Sequence, residues 1–342
     1  MQVRDLGEQG LLKRLQAFCP SHVVGDDAAL VSISESHKLV VTTDVLVDGV
    51  HFSWGLATPA VHTTSPYDAG WRAAAANLSD IAAMGAMPLG ITVGLALPPG
   101  LLVADLDEFY QGLQDCLSQF QTPIVGGDVC RSSLMTVAIA AYGQVLPGNA
   151  IYRASAQPGD VIWVTGFHGS SRAGLELLLK PELAISVDSE SHSYLIEAHQ
   201  RPQPRLDVIS IIDQVCQSNS PDMQKGRIAG MDSSDGLADA VLQICRASQV
   251  GAVLDRLAIP IAPEVLTWRS PCQSLHWALY GGEDFELVLC CEEAIAQSLI
   301  KVLDSPARII GKVTETTNVV LTDPSGKLPD EILEFEHGFQ HF

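Results

Sequence analysis

The chain has 342 residues, of which 47% are hydrophobic, so it is long enough for two domains with buried cores, and no apolar run reaches the roughly 20 residues of a membrane helix. Its formal charge of -20 at pH 7 argues against nucleic acid or an anionic membrane surface as partner, because both would repel it, although divalent cations could still bring a polyanion to it. The eight cysteines include no Cys-x-x-Cys spacing and the N-terminus shows no signal peptide, which predicts reduced thiols and a cytoplasmic location.

The first predicted elements bring hydroxyl and carboxylate groups to turns and strand ends. After a short amphipathic helix, Asp27 lies in an acidic turn behind a glycine. The next strand, residues 39–44, ends in Thr42-Thr43-Asp44, and ligands in α/β sheets usually bind at the carboxyl ends of strands. An isolated acidic turn is more often only a solvated turn, so each of these acids alone is a weak signal.

A central helix is predicted over residues 65–88. Ser65 suits the N-cap, Asp68 faces the positive end of the helix, and a run of four alanines combines high helix propensity with little side-chain bulk. Small residues allow other backbone to approach closely. Asp80 lies on one face with Asn77, three residues before it, and becomes a candidate only because other acids accompany it.

The rest of the first half alternates strands and helices and predicts a mixed α/β layer. The predicted elements are a strand over 89–97, a helix over 105–120 that contains Tyr110, a strand over 123–128 and a strand over 133–145. The third of these opens into a double glycine and an acid, Gly126-Gly127-Asp128.

The second half follows a polar linker and repeats the order of short strand, acid, glycine and helix. Asp232, Ser234 and Asp235 precede a predicted helix, and Ser234 or Asp235 could equally serve as its cap. A later double glycine is followed by Glu283 and a strand. A glycine-rich turn at 166–169 lacks the Gly-Lys-Ser/Thr of a Walker-type loop, so it is a weak phosphate signal.

The aspartates of these turns and strand ends suggest a cation site if they converge. Carboxylates packed together oppose folding unless a cation neutralises them. Oxygen-only ligands, with hydroxyl or carbonyl oxygens from Thr42 and Thr43, favour Mg²⁺ over Zn²⁺. Several Mg²⁺ ions would let an acidic protein bind a nucleotide polyphosphate, and phosphoryl transfer would then need no protein nucleophile.

Six motifs, in order along nearly the whole chain, resemble the thiamine-monophosphate kinase family, which is related to aminoimidazole ribonucleotide synthetase. They are Gly25-Asp26-Asp27-Ala28-Ala29, Thr42-Thr43-Asp44 with Val50-His51-Phe52, Asn77-Leu78-Ser79-Asp80-Ile81-Ala82-Ala83-Met84-Gly85-Ala86, Gly126-Gly127-Asp128, Asp232-Ser233-Ser234-Asp235-Gly236-Leu237 and Gly281-Gly282-Glu283-Asp284-Phe285-Glu286. The resemblance implies transfer of the ATP γ-phosphate to thiamine monophosphate, the final step of thiamine diphosphate biosynthesis.

The resemblance also implies a fold, a partner and a set of roles. The fold is α/β (α+β): a mixed-sheet N-terminal domain, residues 1–147, that binds ATP and Mg²⁺ and forms a homodimer, and an α/β C-terminal domain, residues 148–342. The implied Mg²⁺ ligands are Asp27, Thr42, Thr43, Asp44, Asp80, Asp128, Asp232 and Asp235. The implied ATP contacts are Tyr110, Gly127, Asp128, Arg153 and Ser234, and the implied thiamine contacts are His51, Glu283 and Phe339.

Two alternative functions remain at this point. Another ATP-using enzyme of the same superfamily could act on a different acceptor, and a non-catalytic protein could bind Mg²⁺ and nucleotide without transfer. Single residues also have simpler interpretations: Arg153 could be an exposed linker arginine, and His51 could be a structural hydrogen-bonding histidine.

Overall fold

The computed structural model describes residues 1–20, 31–219 and 227–335. The chain divides into two compact units, here the N-terminal unit (Met1–Ile81 with Met87–Val145) and the C-terminal unit (Ala82–Ala86 with Leu146–Phe342). This division lies two residues from the boundary predicted between 147 and 148. Within the described residues, no helix is both long and apolar enough to cross a membrane.

The N-terminal unit contains a four-stranded sheet in the order β1-β4-β2-β3. Its elements are α1 (Val3–Leu15), β1 (Lys38–Val47), α2 (Pro66–Ala83), β2 (Met87–Leu97), α3 (Val103–Ser118), β3 (Ile124–Arg131) and β4 (Thr136–Val145). Strand β4 pairs antiparallel with β1 and β2, whereas β2 and β3 are parallel. The mixed sheet predicted from the sequence is therefore confirmed.

Helix α2 begins with the predicted cap. The backbone N–H of Asp68 donates to Ser65 Oγ at 3.1 Å, and the backbone N–H of Ser65 donates to Asp68 Oδ2 at 3.2 Å, which satisfies two N–H groups reciprocally. The helix ends at Ala83, earlier than predicted, because Gly85 adopts a φ of 69° that stops it.

Close approach between α2 and α3 depends on glycine. A Cβ on Gly70 would lie 1.9 Å from the carbonyl oxygen of Phe109, and one on Gly112 would lie 1.9 Å from that of Tyr67. The alanines of α2 add to this, since Ala73, the first of the run of four, is fully buried. The prediction that small residues let other backbone approach α2 is confirmed.

The C-terminal unit contains a seven-stranded sheet in the order β11-β10-β7-β9-β5-β8-β6. Its strands are β5 (Val161–Val164), β6 (Ala229–Asp232), β7 (Gly251–Asp255), β8 (Leu287–Cys291), β9 (Arg308–Thr314), β10 (Val319–Thr322) and β11 (Glu331–Ile332). Its helices are α4 (Ser170–Leu179), α5 (Ser189–Gln200), α6 (Leu206–Asn219), α7 (Leu237–Ser248), α8 (Pro263–Trp268), α9 (Pro271–Tyr280) and α10 (Glu293–Val302). Strand β5, in the interior of this sheet, is fully buried, and a hydrophobic core cluster joins it to α7 and β8.

The start of α7 corrects one expectation from the sequence. Gly236 occupies its N-cap with a φ of 113°, and no side chain caps the helix. Ser234 and Asp235 therefore do not serve as its caps. Both residues belong to the turn that precedes the helix.

Candidate active site

In the N-terminal unit, a side-chain hydrogen bond links helix α2 to strand β1. Thr42 lies in the middle of β1 and not at the strand end predicted for it. Its hydroxyl donates to Asp80 Oδ2 at 2.5 Å, so residues from two separate motifs are in contact. Asn77 lies one helical turn before Asp80 and is fully buried. Its amide nitrogen donates to the carbonyl of Ala73, whereas its Oδ1 is buried without a hydrogen-bond partner.

The sheet register separates two of the predicted metal ligands. Paired residues form rows that cross the four strands. The row of Asp44 on β1 passes through Ile139 on β4 and ends at Gly127 on β3. Asp128 lies in the next row, which ends at Val45 on β1. Adjacent rows point to opposite faces of a sheet, and four strands place their two edges roughly 14 Å apart. Asp44 and Asp128 therefore cannot bind one ion together within this sheet, because Mg²⁺–oxygen distances are about 2.1 Å.

The two predicted threonine ligands also differ. Thr42 points towards Asp80, whereas Thr43 faces the opposite side of β1 and its hydroxyl donates to the carbonyl of Ile139 at 2.8 Å. Gly127 has no room for a side chain, since a Cβ would lie 2.2 Å from the carbonyl oxygen of Val93. Close backbone packing therefore explains the need for glycine at position 127 without reference to a nucleotide.

His51 lies in a compact loop that follows β1. Its Nδ1 accepts a hydrogen bond from the backbone N–H of Val47 at 3.1 Å, which fixes the ring. Sequence reasoning missed Asp48, which is buried, accepts from the N–H of Ala57 at 2.6 Å and organises this loop. Burial raises the pKa of Asp48. The Asp48-Gly49 dipeptide, a common turn signal, could have indicated it.

Tyr110 lies in the core of the N-terminal unit. Its ring packs against Phe18 and Phe109, and the residue is 4% exposed. Burial raises the pKa of its hydroxyl. A structural role explains these contacts, so Tyr110 has the least structural support among the predicted nucleotide contacts.

A tight turn carries the predicted acids of the C-terminal unit. Asp232 ends β6 and is buried, and the hydroxyl of Ser234 donates to its Oδ1 at 3.0 Å. The N–H of Glu283 donates to the carbonyl of Ser234 at 2.7 Å, so the two family motifs of this unit are joined by their backbones. Gly282 is required there, because a Cβ would lie 2.7 Å from the same carbonyl.

The segment 281–286 has an unusual backbone. Glu283 and Phe285 have φ values of 61° and 52°, in the left-handed region that residues with a side chain rarely adopt. Such strain persists where surrounding contacts enforce it, and it concentrates at functional sites. No motif or periodicity in the sequence predicts this conformation.

Two carboxylates anchor this segment to the rest of the unit. Asp284 accepts from the backbone N–H groups of Gly169 and Ser171 at 2.7 and 2.9 Å, at the N-terminus of α4. Burial raises the pKa of Asp284 to about 7 despite these bonds, and the neighbouring acids Glu283 and Glu286 add to the effect. The end of the glycine turn at 166–169 therefore binds a carboxylate of this protein itself.

Arg205 provides the second anchor. It donates to Glu286 Oε2 at 2.6 Å and to the carbonyl of Thr165 at 2.9 Å, and two further N–H groups reach Asp207. Burial opposes its charge, but Glu286 and Asp207 outweigh burial and raise the pKa of the guanidinium. Arg205 lies between α5 and α6, and no local sequence pattern indicates its partner Glu286, which lies 81 residues further along the chain.

The remaining predicted residues are exposed or not described. Arg153 is exposed and donates to Gln243 Oε1 at 2.7 Å. Asp235 is also exposed. Asp27 and Phe339 lie outside the described residues.

The described residues contain no group of three or more His, Cys, Asp or Glu side chains placed to hold a metal ion. The carboxylate of Asp80 and the hydroxyl of Thr42 nonetheless offer oxygen ligands, and the buried Asn77 Oδ1 has no hydrogen-bond partner. This chemistry fits Mg²⁺, which is commonly held by one or two carboxylates and takes its other ligands from water and substrate phosphates.

Two family models match the chain. One is described as AIR synthase related protein, N-terminal domain, over residues 25–145, and the other as AIR synthase related protein, C-terminal domain, over residues 157–324. The thiamine-monophosphate kinase of Synechococcus elongatus is 50% identical over 341 residues, covering 99% of this chain and 97% of the relative. That of Escherichia coli (strain K12) is 36% identical over 294 residues, covering 85% and 83%.

The chain belongs to the thiamine-monophosphate kinase family. Among solved structures, the thiamine-monophosphate kinase of Stenotrophomonas maltophilia K279a matches with a TM-score of 0.77 at 30% identity, covering 91% of this chain and 95% of that one. AaThiL complexed with AMPPCP and TMP matches with a TM-score of 0.73 at 29% identity, covering 100% and 99%. The hydrogenase maturation protein HypE, at 19% identity and a TM-score of 0.71, shares the fold alone.

These matches confirm two expectations from the sequence, the two-domain α/β (α+β) fold and the thiamine-monophosphate kinase family. The residue roles implied by the resemblance stay predictions.

Proposed function

We propose that this chain transfers the γ-phosphoryl group of ATP to the phosphate of thiamine monophosphate, giving thiamine diphosphate and ADP. The observation that carries the proposal is the 50% identity, over 99% of the chain, to the thiamine-monophosphate kinase of Synechococcus elongatus. The likeness over the whole chain to AaThiL complexed with AMPPCP and TMP supports both substrates.

The reaction needs positioning and charge neutralisation more than covalent chemistry. A phosphate oxygen of thiamine monophosphate attacks the γ-phosphorus, the bond to the β–γ bridging oxygen breaks, and ADP leaves with the electron pair. The acceptor is already ionised at neutral pH, so no side chain has to remove its proton. The chain therefore has to bring two anions together and hold them in line.

Mg²⁺ is the cation that this chemistry requires. When bound, Mg²⁺ neutralises the phosphate oxygens and their growing charge. Asp80 and Thr42 are the best supported ligands, because they already lie in contact and Asn77 adds a buried acceptor beside them. Asp44 faces the same side of β1 as Thr42, two residues further along the strand. Asp27, Thr43, Asp128, Asp232 and Asp235 complete the proposed set by motif position alone.

The proposed nucleotide and thiamine contacts also follow motif positions. Gly127, Asp128, Arg153, Ser234 and, with least support, Tyr110 are proposed to contact ATP. His51, Glu283 and Phe339 are proposed to contact the thiamine part, since a carboxylate and aromatic rings suit a cationic thiazolium ring joined to a flat pyrimidine. Two of these residues have geometry consistent with the role: His51 has a fixed ring, and Glu283 has an enforced, strained backbone.

A homodimer through the N-terminal sheet is part of the proposal. Strand β1 is an edge strand, and Leu39, Val41 and Val45 are exposed on the face that α2 does not cover. An unpaired edge with an apolar face invites pairing with another chain. Asp128 lies in the same row as Val45 on this face, so a second copy docking there would also change the surroundings of Asp128.

We also propose a cytoplasmic location, supported by the seven described cysteines, all of which are free thiols.

A coupled assay of product formation tests the reaction. Thiamine monophosphate and free thiamine are offered separately as acceptors with ATP, each with Mg²⁺ and with excess chelator. The expected result is thiamine diphosphate from the monophosphate only, and only with Mg²⁺. Nucleotide binding without product from either acceptor would favour a binding protein or another acceptor.

A further inference from the structure

His199 is a buried histidine of the C-terminal unit that none of the predicted roles includes. It lies near the end of α5 and is 2% exposed. Its Nδ1 is 3.1 Å from Ser171 Oγ and 3.8 Å from Glu283 Oε2. One ring nitrogen therefore faces both a hydroxyl of α4 and the carboxylate proposed to contact thiamine.

The fold fixes the position of this ring through the packing of α4 against α5. A Cβ on Gly174 would lie 1.9 Å from the carbonyl oxygen of Leu195, so the two helices touch through their backbones. Ser171, in the first turn of α4, reaches His199 with its side chain and donates its backbone N–H to Asp284. Ser171 therefore contacts both the His199 ring and the strained segment 281–286.

The chemistry of the three groups indicates what the ring does. A carboxylate only accepts hydrogen bonds, so a proton on Nδ1 is the state that attracts Glu283. At 3.8 Å the contact is longer than a hydrogen bond, and contacts in sites without substrate often shorten when substrate binds. The backbone of Glu283 is already fixed, by its left-handed φ of 61° and by its N–H bond to Ser234. A neighbouring residue such as His199 can therefore influence the rotamer of the Glu283 side chain.

We infer that His199 is a positioning residue, whose Nδ1–H orients the Glu283 carboxylate towards the cationic part of thiamine monophosphate. This inference rests on the proposed function. It assigns His199 a role in binding thiamine monophosphate, because its Nδ1 faces Glu283, a proposed thiamine contact. A histidine that only fills space in the core would affect both substrates through stability alone.

The test compares two substitutions at position 199 in the full-length protein. His199→Leu removes the Nδ1 donor, and His199→Asn retains an N–H close to the position of Nδ1. We expect His199→Leu to raise KM for thiamine monophosphate about tenfold while KM for ATP changes less than about twofold, as befits loss of a bond to a charged group. His199→Asn should recover most of the loss. Equal increases in both KM values, or an Asn variant no better than Leu, would overturn the inference.

Two controls keep the result interpretable. Ser171→Ala removes the hydroxyl 3.1 Å from Nδ1 and should raise KM for thiamine monophosphate less than His199→Leu does. In a Glu283→Gln background, His199→Leu should have little further effect on KM, because the two residues act through one interaction. Additive effects of the two substitutions would count against the inference, even if the Leu variant were less stable.

An NMR measurement separates failure of this inference from failure of the proposed function. Imidazole nitrogen spectra of the parent protein report which ring nitrogen of His199 carries the proton, without any turnover. A proton on Nδ1, with a shift that changes in Glu283→Gln, is expected. A ring protonated only at Nε2 would overturn the inference, whereas absence of thiamine diphosphate formation by the parent would overturn the proposed function.

Discussion

Asp80 of the N-terminal unit and Glu283 of the C-terminal unit are positioned by different kinds of backbone. In the N-terminal unit Asp44 and Asp80 lie on regular elements, a strand and a capped helix. The hydrogen bond between Thr42 and Asp80 needs no unusual backbone conformation. In the C-terminal unit one candidate carboxylate, that of Glu283, lies on a segment with left-handed backbone that is anchored by Asp284 and Arg205.

This difference shows two routes to a precise side-chain position. Regular elements place Asp80 through hydrogen-bonded backbone and close helix packing, so the position depends little on any single side chain. The segment around Glu283 depends on specific carboxylate contacts that oppose local backbone preference. Substitutions should therefore separate function from stability differently in the two units.

The largest effect is expected at Asp80. Asp80→Asn should lower kcat by about 100-fold or more, because an amide is a poorer Mg²⁺ ligand of nearly the same shape. The thermal midpoint should change little, since the helix remains capped and packed. Turnover is measured at saturating ATP over a range of Mg²⁺ concentrations, and a normal rate would remove Asp80 from the metal site.

The neighbouring threonines provide a matched pair for that experiment. Thr42→Val loses the hydroxyl that reaches Asp80, whereas Thr43→Val loses one that reaches only the carbonyl of Ile139. The Mg²⁺ concentration for half-maximal rate should rise more in the first variant than in the second. The reverse order would indicate that the outer face of β1 holds the ion.

Substitutions of Glu283 test whether its side chain serves substrate binding or the stability of the strained segment. Glu283→Gly removes the side chain and the conflict with a φ of 61°, so the free energy of unfolding should stay within about 1 kcal/mol of the parent. KM for thiamine monophosphate should nevertheless rise about tenfold or more, because the carboxylate is lost. Glu283→Gln retains the strain and serves as the comparison. Severe unfolding of the Gly variant would mean that the side chain stabilises the segment, contrary to this view.

The exposed face of β1 is expected to show a concentration-dependent effect. Val41 is 58% exposed on this edge strand, and Val41→Glu should shift the protein from dimer towards monomer, because an edge charge blocks strand pairing. Light scattering coupled to gel filtration gives the mass. Val302→Glu is the matched control, since Val302 is 57% exposed on α10 of the other unit. Equal masses for the two variants would argue against a dimer through β1.

The smallest effect is expected in the pH dependence of stability. The pKa of Asp284 is about 7 in the folded protein and near 3.8 without its surroundings, so the folded state binds the extra proton between these values. Its contribution therefore lowers the free energy of unfolding as pH rises from about 4 to about 7. Asp284→Asn cannot titrate and should show a shallower decline in urea midpoint between about pH 5 and about pH 7.5. An unchanged decline would show that Asp284 is already ionised at pH 5.

Particular residues show how far sequence reasoning reached. The cap of α2 and the close approach of other backbone to its small residues followed from local patterns, because capping and periodicity act within a few residues. The strand predicted over 39–44 exists but runs on to Val47, so Asp44 lies inside it and not at its end. The contact between Thr42 and Asp80 was expected only as part of a general convergence. The separation of Asp44 from Asp128 was not expected, since register decides which face a residue occupies.

By itself, the sequence determined the fold class, the family and the residue types of the site, because ordered motifs and element patterns are properties of the chain. The tertiary structure alone decided which of those residues meet. It placed Thr42 on Asp80, set Asp44 and Asp128 on opposite faces and edges of one sheet, and turned Arg205, Asp284 and His199 towards the segment of Glu283. The reason is that strand order, register and left-handed backbone depend on partners that lie many residues apart in the sequence.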